Sequence, residues 1–352
     1  VVDVVRNDQL LLHEIVREIE PISVSIHDEV RGRFGALAIP PNALGRLVDP
    51  VARLAASQWT SSPVANPAVC AVFVADHGIA HDDTVTPWPR EVTRSVAELA
   101  AKGRAACSAI ARSVGAELTI IDVGIATGPT PDGVNGQRVR DGSGDLRNGG
   151  AISNDDVHAA CEVGARIAES LIDDGARILT VGEIGIGNTT AAAALIAVLA
   201  DADPLLVTGR GSGIDDAALA RKRGVVSDLV ARCRNRPIIE ILSHVGALEV
   251  CALSGFMIAA SRRRTPVVLD GVTTLAAALV AREISVHTAD HLIAGHRSPE
   301  PAVDAALTSL GLEPMVDFGL RVGEGTGGLL ALPLLAAGCE ILSSVARLDE
   351  VT

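Results

Sequence analysis

Apolar and polar positions change period several times along the chain, and the changes mark out its elements. "VCAVFVAD" (69–76) is a short, continuous apolar run ending on a polar loop, which predicts a strand buried on both faces. "ELTIIDVG" (117–124) and "RILTVGE" (177–183) read the same way, and "PLLVTGRG" (204–211), "TPVVLDG" (265–271) and "HLIAGHRSPE" (291–300) repeat the pattern. Helical spacing fills the intervals. One helix is predicted over 91–115, closing on Gly115, and another over 154–176 with acidic residues in its first turn. The alanine run after Asn188 predicts a third, and Ser298 with Pro299 reads as the N-cap and first position of a fourth.

Repeated strand–loop–helix units predict an α/β fold, a parallel Rossmann-like sheet with helices on both faces. The first 65 residues are less regular, and the stretch from "GEGTGG" to the end is helical after its glycines. The two ends are therefore expected to pair in a small helical subdomain. This divides the chain into 1–65 (N-terminal part of that subdomain), 66–310 (large α/β domain) and 311–352 (a Gly-rich loop and C-terminal helix). Ligands of such sheets bind beyond the carboxyl ends of the strands. The polar, Gly-rich loops "DHG", "GEIGIGNTT", "GRGSGIDD", "LDG" and "GHRSPE" all fall at those ends.

Composition narrows the partners. The chain has 352 residues, 48% of them hydrophobic, enough for one large core. Thirty Lys and Arg against 43 Asp and Glu give a net charge of -13, which argues against nucleic acid or an anionic membrane. With no Tyr, two Trp and four Phe there is no platform for stacking single-stranded bases. The six cysteines form no C-x-x-C pair, so neither a zinc site nor a disulfide framework is expected, and reduced thiols point to the cytoplasm. No apolar run is long and uninterrupted enough to predict a membrane span, and no signal peptide is read.

Four loops carry candidate chemistry. Residues 182–189 match most of a P-loop, but Asn188 stands where the lysine should be, which argues against a nucleoside triphosphatase. The glycines, with Gly185 and Gly187 foremost, leave room for a ligand to approach, and Asn188, Thr189 and Thr190 can meet a single phosphate. A Gly-rich turn with a helix cap explains the segment equally well. "GEGTGG" (323–328) matches a dinucleotide fingerprint, but no strand–helix–strand unit can follow it, which leaves Glu324 unshielded between glycines. "DHGIAHDD" (76–83) gathers Asp76, His77, His81, Asp82 and Asp83, yet Gly78 favours a loop over the helix two metal-binding histidines would need. No metal is expected there; Asp76 and His77 are assigned to orienting loops or contacting substrate. In "GRGSGIDDAALARK", Gly211, Ser212 and Gly213 form an N–H-rich turn suited to an anion, and Lys222 falls within the next helix.

In this order, "PPNALGRL", "VFVADHGIA", "EVT", "IIDVG", "GEIGIGNTTAAAAL", "GRGSGIDDAALARK", "TPVVLDG", "AGHRSPEP" and "DFGLRVGEGTGGLLALPLL" resemble the nicotinate-nucleotide–dimethylbenzimidazole phosphoribosyltransferase family over nearly the whole chain beyond residue 40. The resemblance implies a parallel α/β domain with a small helical domain, and a homodimer. It implies transfer of a phosphoribosyl group from nicotinate mononucleotide to a benzimidazole-type base, with no metal or other cofactor. Glu324 falls on the family's catalytic base, and Glu183, Lys222 and Ser298 fall on other site residues. Gly211–Gly213 lie near the phosphate, and Asp270 is a weaker match. The stretch "TVTPWPREVT", with Trp88 and Arg90, departs from the family's usual Ser-Ala-Tyr-Pro-like segment in the base pocket, so the accepted base stays open. Asn42 and Val48 depart from a usual Gly and Glu, away from the reaction centre. Whether the phosphate rests on 182–190 or on 211–213 with Ser298 also stays open. The alternatives are a paralogue using another base and a non-catalytic nucleotide sensor.

Overall fold

A computed structural model gives the fold and describes residues 15–81 and 85–351. Six strands, β1 (Ala68–Ala75), β2 (Glu117–Gly124), β3 (Asn135–Gly136), β4 (Ile178–Ile184), β5 (Val267–Leu269) and β6 (Leu292–Ala294), form one sheet. Their order is β3-β2-β1-β4-β5-β6, and every pairing is parallel. The order reverses between β1 and β4, the point at which a doubly wound sheet opens a crevice for ligands.

Every residue of β1 is buried, as its unbroken apolar run predicts, and alternate side chains serve two different cores. Ala71 and Phe73 face helices Asn154–Asp173, Asn188–Leu199, Leu248–Arg262 and Val272–Ile284. Cys70, Val72 and Val74 face helices Val24–Gly35, Val48–Ser57, Val92–Ala101, Ala106–Val114 and Thr326–Ser344. On this second face Leu37 and Arg347 form an antiparallel bridge, and the Ala38 amide donates to Ala346 at 2.8 Å.

Local chemistry sets the boundaries. Ser153 and Asp156 close a capping box on helix 154–173. The helical stretch predicted over 91–115 is two helices, because Gly103 turns left-handed at φ +74° and breaks the run; the second ends on Gly115 at φ +71° as expected. The predicted strand at 204–211 is absent. Asp203 caps a four-residue helix, Pro204–Val207, with proline at its first position, and β5 takes the place beside β4. Ser298 is not an N-cap either. The Arg297 amide donates to Val316 at 2.9 Å, which holds this segment extended, and the helix starts at Ala302 with Pro301 as its cap. Helix 326–344 is long and apolar enough to cross a membrane by composition, contrary to expectation, but it packs on the sheet with Leu329, Leu332 and Leu335 in the core. All six cysteines are free thiols.

With few aromatic residues, close backbone approach replaces bulk. A Cβ on Gly164 would fall on the Ala252 carbonyl, and one on Gly255 on the Cys161 carbonyl, where helices 154–173 and 248–262 cross. Backbone cannot yield as a side-chain tip does. Gly164→Ala and Gly255→Ala are each expected to lower unfolding free energy by about 1–3 kcal/mol, the usual cost of overpacking. Urea titration checks this; a loss below about 0.5 kcal/mol in both would show that the helices separate freely.

Candidate active site

A cleft with an empty volume of about 970 Å³ opens at the carboxyl ends of the strands beside the β1–β4 reversal. It gathers residues far apart in sequence: Thr86 after β1, 183–189 after β4, Gly211 and Ser212, Ser298 and Glu300 after β6, and 320–324.

The 182–190 loop forms the floor. Gly187 is the left-handed N-cap of helix 188–199, which starts at Asn188, and no side chain caps it. The Thr93 hydroxyl accepts from the Ile186 amide at 3.1 Å and pins the loop. The Asn188 amide group donates to the Glu183 carboxyl. Burial, reinforced by the Glu249 and Asp270 carboxylates, pushes Glu183 up to about 8, so its carboxyl holds a proton at neutral pH.

The loop's glycines serve a different purpose from the one expected. A Cβ on Gly182 would strike the backbone of Glu324 and Gly325, one on Gly185 would lie 2.8 Å from the Ala75 carbonyl, and one on Gly187 would lie 3.1 Å from Ile79. Gly182 and Gly185 admit neighbouring backbone, and Gly187 admits the Ile79 side chain. A Gly187→Val change would therefore strain the loop itself, the more so at φ +95°.

Glu324 stands at the lip of the cleft in a left-handed conformation, φ +61°, which for a non-glycine residue costs of order 1–3 kcal/mol. Its amide donates to the Glu183 carbonyl at 3.2 Å, and its carboxylate accepts the Cys107 amide at 3.1 Å. Cys107 opens helix 106–114, whose own N-cap, Ala105, supplies no side-chain hydrogen bond. Burial, followed by the nearby Glu324 carboxylate, pushes the Cys107 thiol up to about 12 and leaves it inert.

Lys222 is fully buried. Its ammonium donates to Thr189 Oγ1 at 2.7 Å, and burial lowers it to about 8 against the pull of Glu300. A Cβ on Gly211 would lie 2.6 Å from Thr189 Oγ1 and 3.3 Å from Lys222 Nζ. The two loops that competed for a phosphate in the sequence thus converge on Thr189. The N–H groups of the 211–213 turn are largely engaged: Gly211 donates to Glu300 Oε1 at 2.9 Å and Gly213 to the Arg210 carbonyl at 3.0 Å.

The remaining residues are placed unevenly. Gly185, Gly187, Asn188, Thr189, Gly211, Ser212 and Ser298 line the cleft, whereas Thr190 is buried behind it and Gly213 lies off its wall. Asp270 lies beneath, accepting from the Gly325 and Gly327 amides at 3.0 and 2.7 Å and facing His296 Nε2 at 3.1 Å. Asp76 accepts the Ala126 amide at 2.8 Å, and burial raises its pKa. His77 pairs with Glu249 at 2.8 Å; burial opposes its protonation, but that carboxylate outweighs it and the net shift is upward. Trp88 and Arg90 line a separate depression with His81, outside the main cleft. Among the described residues no His, Cys, Asp and Glu cluster suits a metal, and Asp82 and Asp83 lie outside them. Sequence reasoning passed over Thr86, 3.3 Å from the Ser212 hydroxyl, and also His296 and Glu300. A glutamate between Pro299 and Pro301 reads as a solvated loop residue, and only its closeness to the Gly211 turn marks it.

The site thus sets paired carboxyls at one side of the crevice of a doubly wound sheet and a buried lysine at the other. The sequence profile of the phosphoribosyltransferase family matches residues 19–352. Nicotinate-nucleotide–dimethylbenzimidazole phosphoribosyltransferase of Salinispora tropica is 44% identical over 332 residues, covering 89% of this chain and 91% of that protein. The enzyme of the same description from Chromobacterium violaceum is 39% identical, with coverage of 94% and 96%. The crystal structure of CobT from Thermus thermophilus superposes with a TM-score of 0.88 at 37% identity, covering 93% of this chain and 98% of that one. The chain belongs to the nicotinate-nucleotide–dimethylbenzimidazole phosphoribosyltransferase family.

The raised Glu183 gives a stability signature. Between the ordinary glutamate value of 4.5 and about 8 the folded chain holds more protons than the unfolded one. Stability from this group is therefore full below 4.5 and is lost as pH rises through about 8. The melting temperature of the wild type relative to Glu183→Gln should fall steadily from pH 5 to pH 8.5. A difference that stays flat would show Glu183 to be ionised throughout.

Proposed function

We propose that the cleft transfers the 5-phosphoribosyl group of nicotinate mononucleotide to 5,6-dimethylbenzimidazole with inversion, giving α-ribazole 5'-phosphate and nicotinate for the nucleotide loop of cobalamin. The carrying observation is Glu324: a carboxylate at the cleft lip, fixed through the Cys107 amide and beside Glu183.

The chemistry needs one such group. The glycosidic bond joins C1' to a positively charged pyridinium nitrogen, so nicotinate leaves with the bonding pair, neutral at nitrogen, and needs no acid. One nitrogen of the benzimidazole forms the new bond to C1', and the ring becomes cationic unless the proton on its other nitrogen is removed. Glu324 takes that proton, a contribution typically of ~10²–10⁴-fold. Attack from the face opposite the leaving ring inverts the centre, and holding both rings across the ribose supplies the proximity effect. The protonated Glu183 donates a hydrogen bond toward the sugar. The phosphate lies where Thr189, Ser212 and Ser298 converge above Lys222, so both candidate loops contribute. The family resemblance supports a cytoplasmic homodimer. Since Thr86, not Trp88, reaches the cleft, the base pocket is less altered than the sequence departure implied. A strained Glu324 at the lip favours catalysis over a sensor, because binding alone needs no positioned base.

Incubating the protein with nicotinate mononucleotide and a panel of bases, and reading products by mass, tests the reading and identifies the base. Glu324→Gln is expected to keep nucleotide binding while turnover falls ~10²-fold or more; near-normal turnover would remove Glu324 from the mechanism. Lys222→Ala should weaken binding of nicotinate mononucleotide far more than that of free base. Equal losses for both ligands in a calorimetric titration would contradict the phosphate placement.

A further inference from the structure

Glu300 lies where an anion site would least be expected to carry a carboxylate. Its Oε1 accepts the Gly211 amide at 2.9 Å, and its other oxygen rests where a Cβ on Gly209 would fall. It therefore clasps the 209–213 turn from the opposite loop, and Glu300 and Gly211 both line the cleft. Directly beneath Gly211 is the Lys222 ammonium, 3.3 Å from the position a Cβ would take.

We propose that Glu300 is a positioning residue that holds the 209–213 turn closed over Lys222 and keeps the buried ammonium charged for an incoming phosphate. The proposal rests on the placement of the substrate phosphate above Lys222. Its physical basis is the cost of burying an unpaired ammonium, which drives a lysine toward its neutral form unless a countercharge stands nearby. Thr189, Lys222's hydrogen-bond partner, is neutral, and so is Gly211 above it. Arg210 is turned away, to the Ile214 carbonyl and Asp216. Glu300 is the charge acting on Lys222, and it opposes the lowering that burial imposes. A second consequence follows from the hydrogen bond. Glu300 spends the Gly211 amide on itself, so recognition of the phosphate falls to the ammonium and hydroxyls more than to that N–H.

Two variants separate the two roles. Glu300→Gln keeps an oxygen for the Gly211 amide and removes the charge; Glu300→Ala removes both. Calorimetric Kd values for nicotinate mononucleotide, and for inorganic phosphate, are measured from pH 6 to pH 8.5 and expressed as variant over wild type, which cancels the titration of the ligand. For Glu300→Gln this ratio should stay within about 3-fold at pH 6 and rise to ~10-fold by pH 8, as a lysine with a lowered pKa loses its proton first. Glu300→Ala should weaken binding at every pH. A ratio for Glu300→Gln that does not change with pH overturns the charge role. Tighter binding in either variant also overturns it, and would make Glu300 an internal competitor for the anion. Lys222→Ala combined with Glu300→Gln should show no further pH-dependent loss. Product formation by the wild type is measured separately, so that a failure of the proposed reaction leaves the binding result readable.

Discussion

The Asp270 carboxylate joins the helix Thr326–Ser344 to the end of β5. It accepts the amides of Gly325 and Gly327, the cap and second residue of a helix that has no side-chain cap of its own. Buried N–H groups at a helix start are costly when unmet, so this long-range cap fixes where helix 326–344 begins. With the helix fixed, Gly325 settles onto Gly182 at the end of β4, and Glu324 is held in its left-handed conformation with its carboxylate on the start of helix 106–114. The position of the proposed base is thus a result of helix capping on both sides. Asp270 caps the helix that carries Glu324, and Glu324 caps the helix it reaches.

Carboxyl groups gather at one end of the cleft and a buried ammonium at the other, a polarity that supports the proposed nucleotide with a cationic ring. Burial, with Glu249 and Asp270 adding to it, raises Glu183 to about 8, and Glu324 stands next to Glu183. Opposite, Lys222 lies under Thr189 and Gly211. In the proposed reading the pyridinium lies at the first end and the phosphate at the second. The same polarity eases the chemistry, because positive charge moves from the leaving ring to the entering ring and a nearby carboxylate favours both ends of that transfer. The global charge of -13 therefore does not oppose a phosphate ligand, since the local ammonium decides.

Strands with long apolar runs were legible almost to the residue: 117–124 is β2 as read, and β1 and β4 differ by a residue at their ends. β1 is buried along its whole length and β2 over its last five residues, and each run ends at a polar or glycine-containing loop, the setting of a buried strand. The segment at 204–211 was misread because a four-residue apolar stretch cannot be told from a short helix by period, and Asp203 with Pro204 was the stronger signal. In the site, loops were legible but roles were not. Lys222 is buried in a helix of weak amphipathicity, where nothing in the spacing tells a covered lysine from a solvated one. Thr86 and Trp88 are two residues apart, yet only the first reaches the cleft, and the turn between them is not written in composition.

The glycines teach the most transferable point. A Gly-rich loop at a strand end invites the reading that bare backbone makes room for a ligand, and a P-loop-like match strengthens it. Here the space above Gly182 is filled by Gly325, that beside Gly185 by the Ala75 carbonyl, and that beside Gly327 by the His296 ring. Each glycine lets one loop of the site come close to another. In the proposed reading, recognition falls to side chains presented from these tightly stacked loops, Glu183, Asn188, Thr189, Ser298 and Glu324, all of which line the cleft. That division of labour fits a site that must hold two flat rings on opposite sides of a sugar. A backbone nest fixes one anion, but placing two rings and a proton acceptor in register needs several loops locked to one another first, and backbone-to-backbone contact is the stiffest lock available.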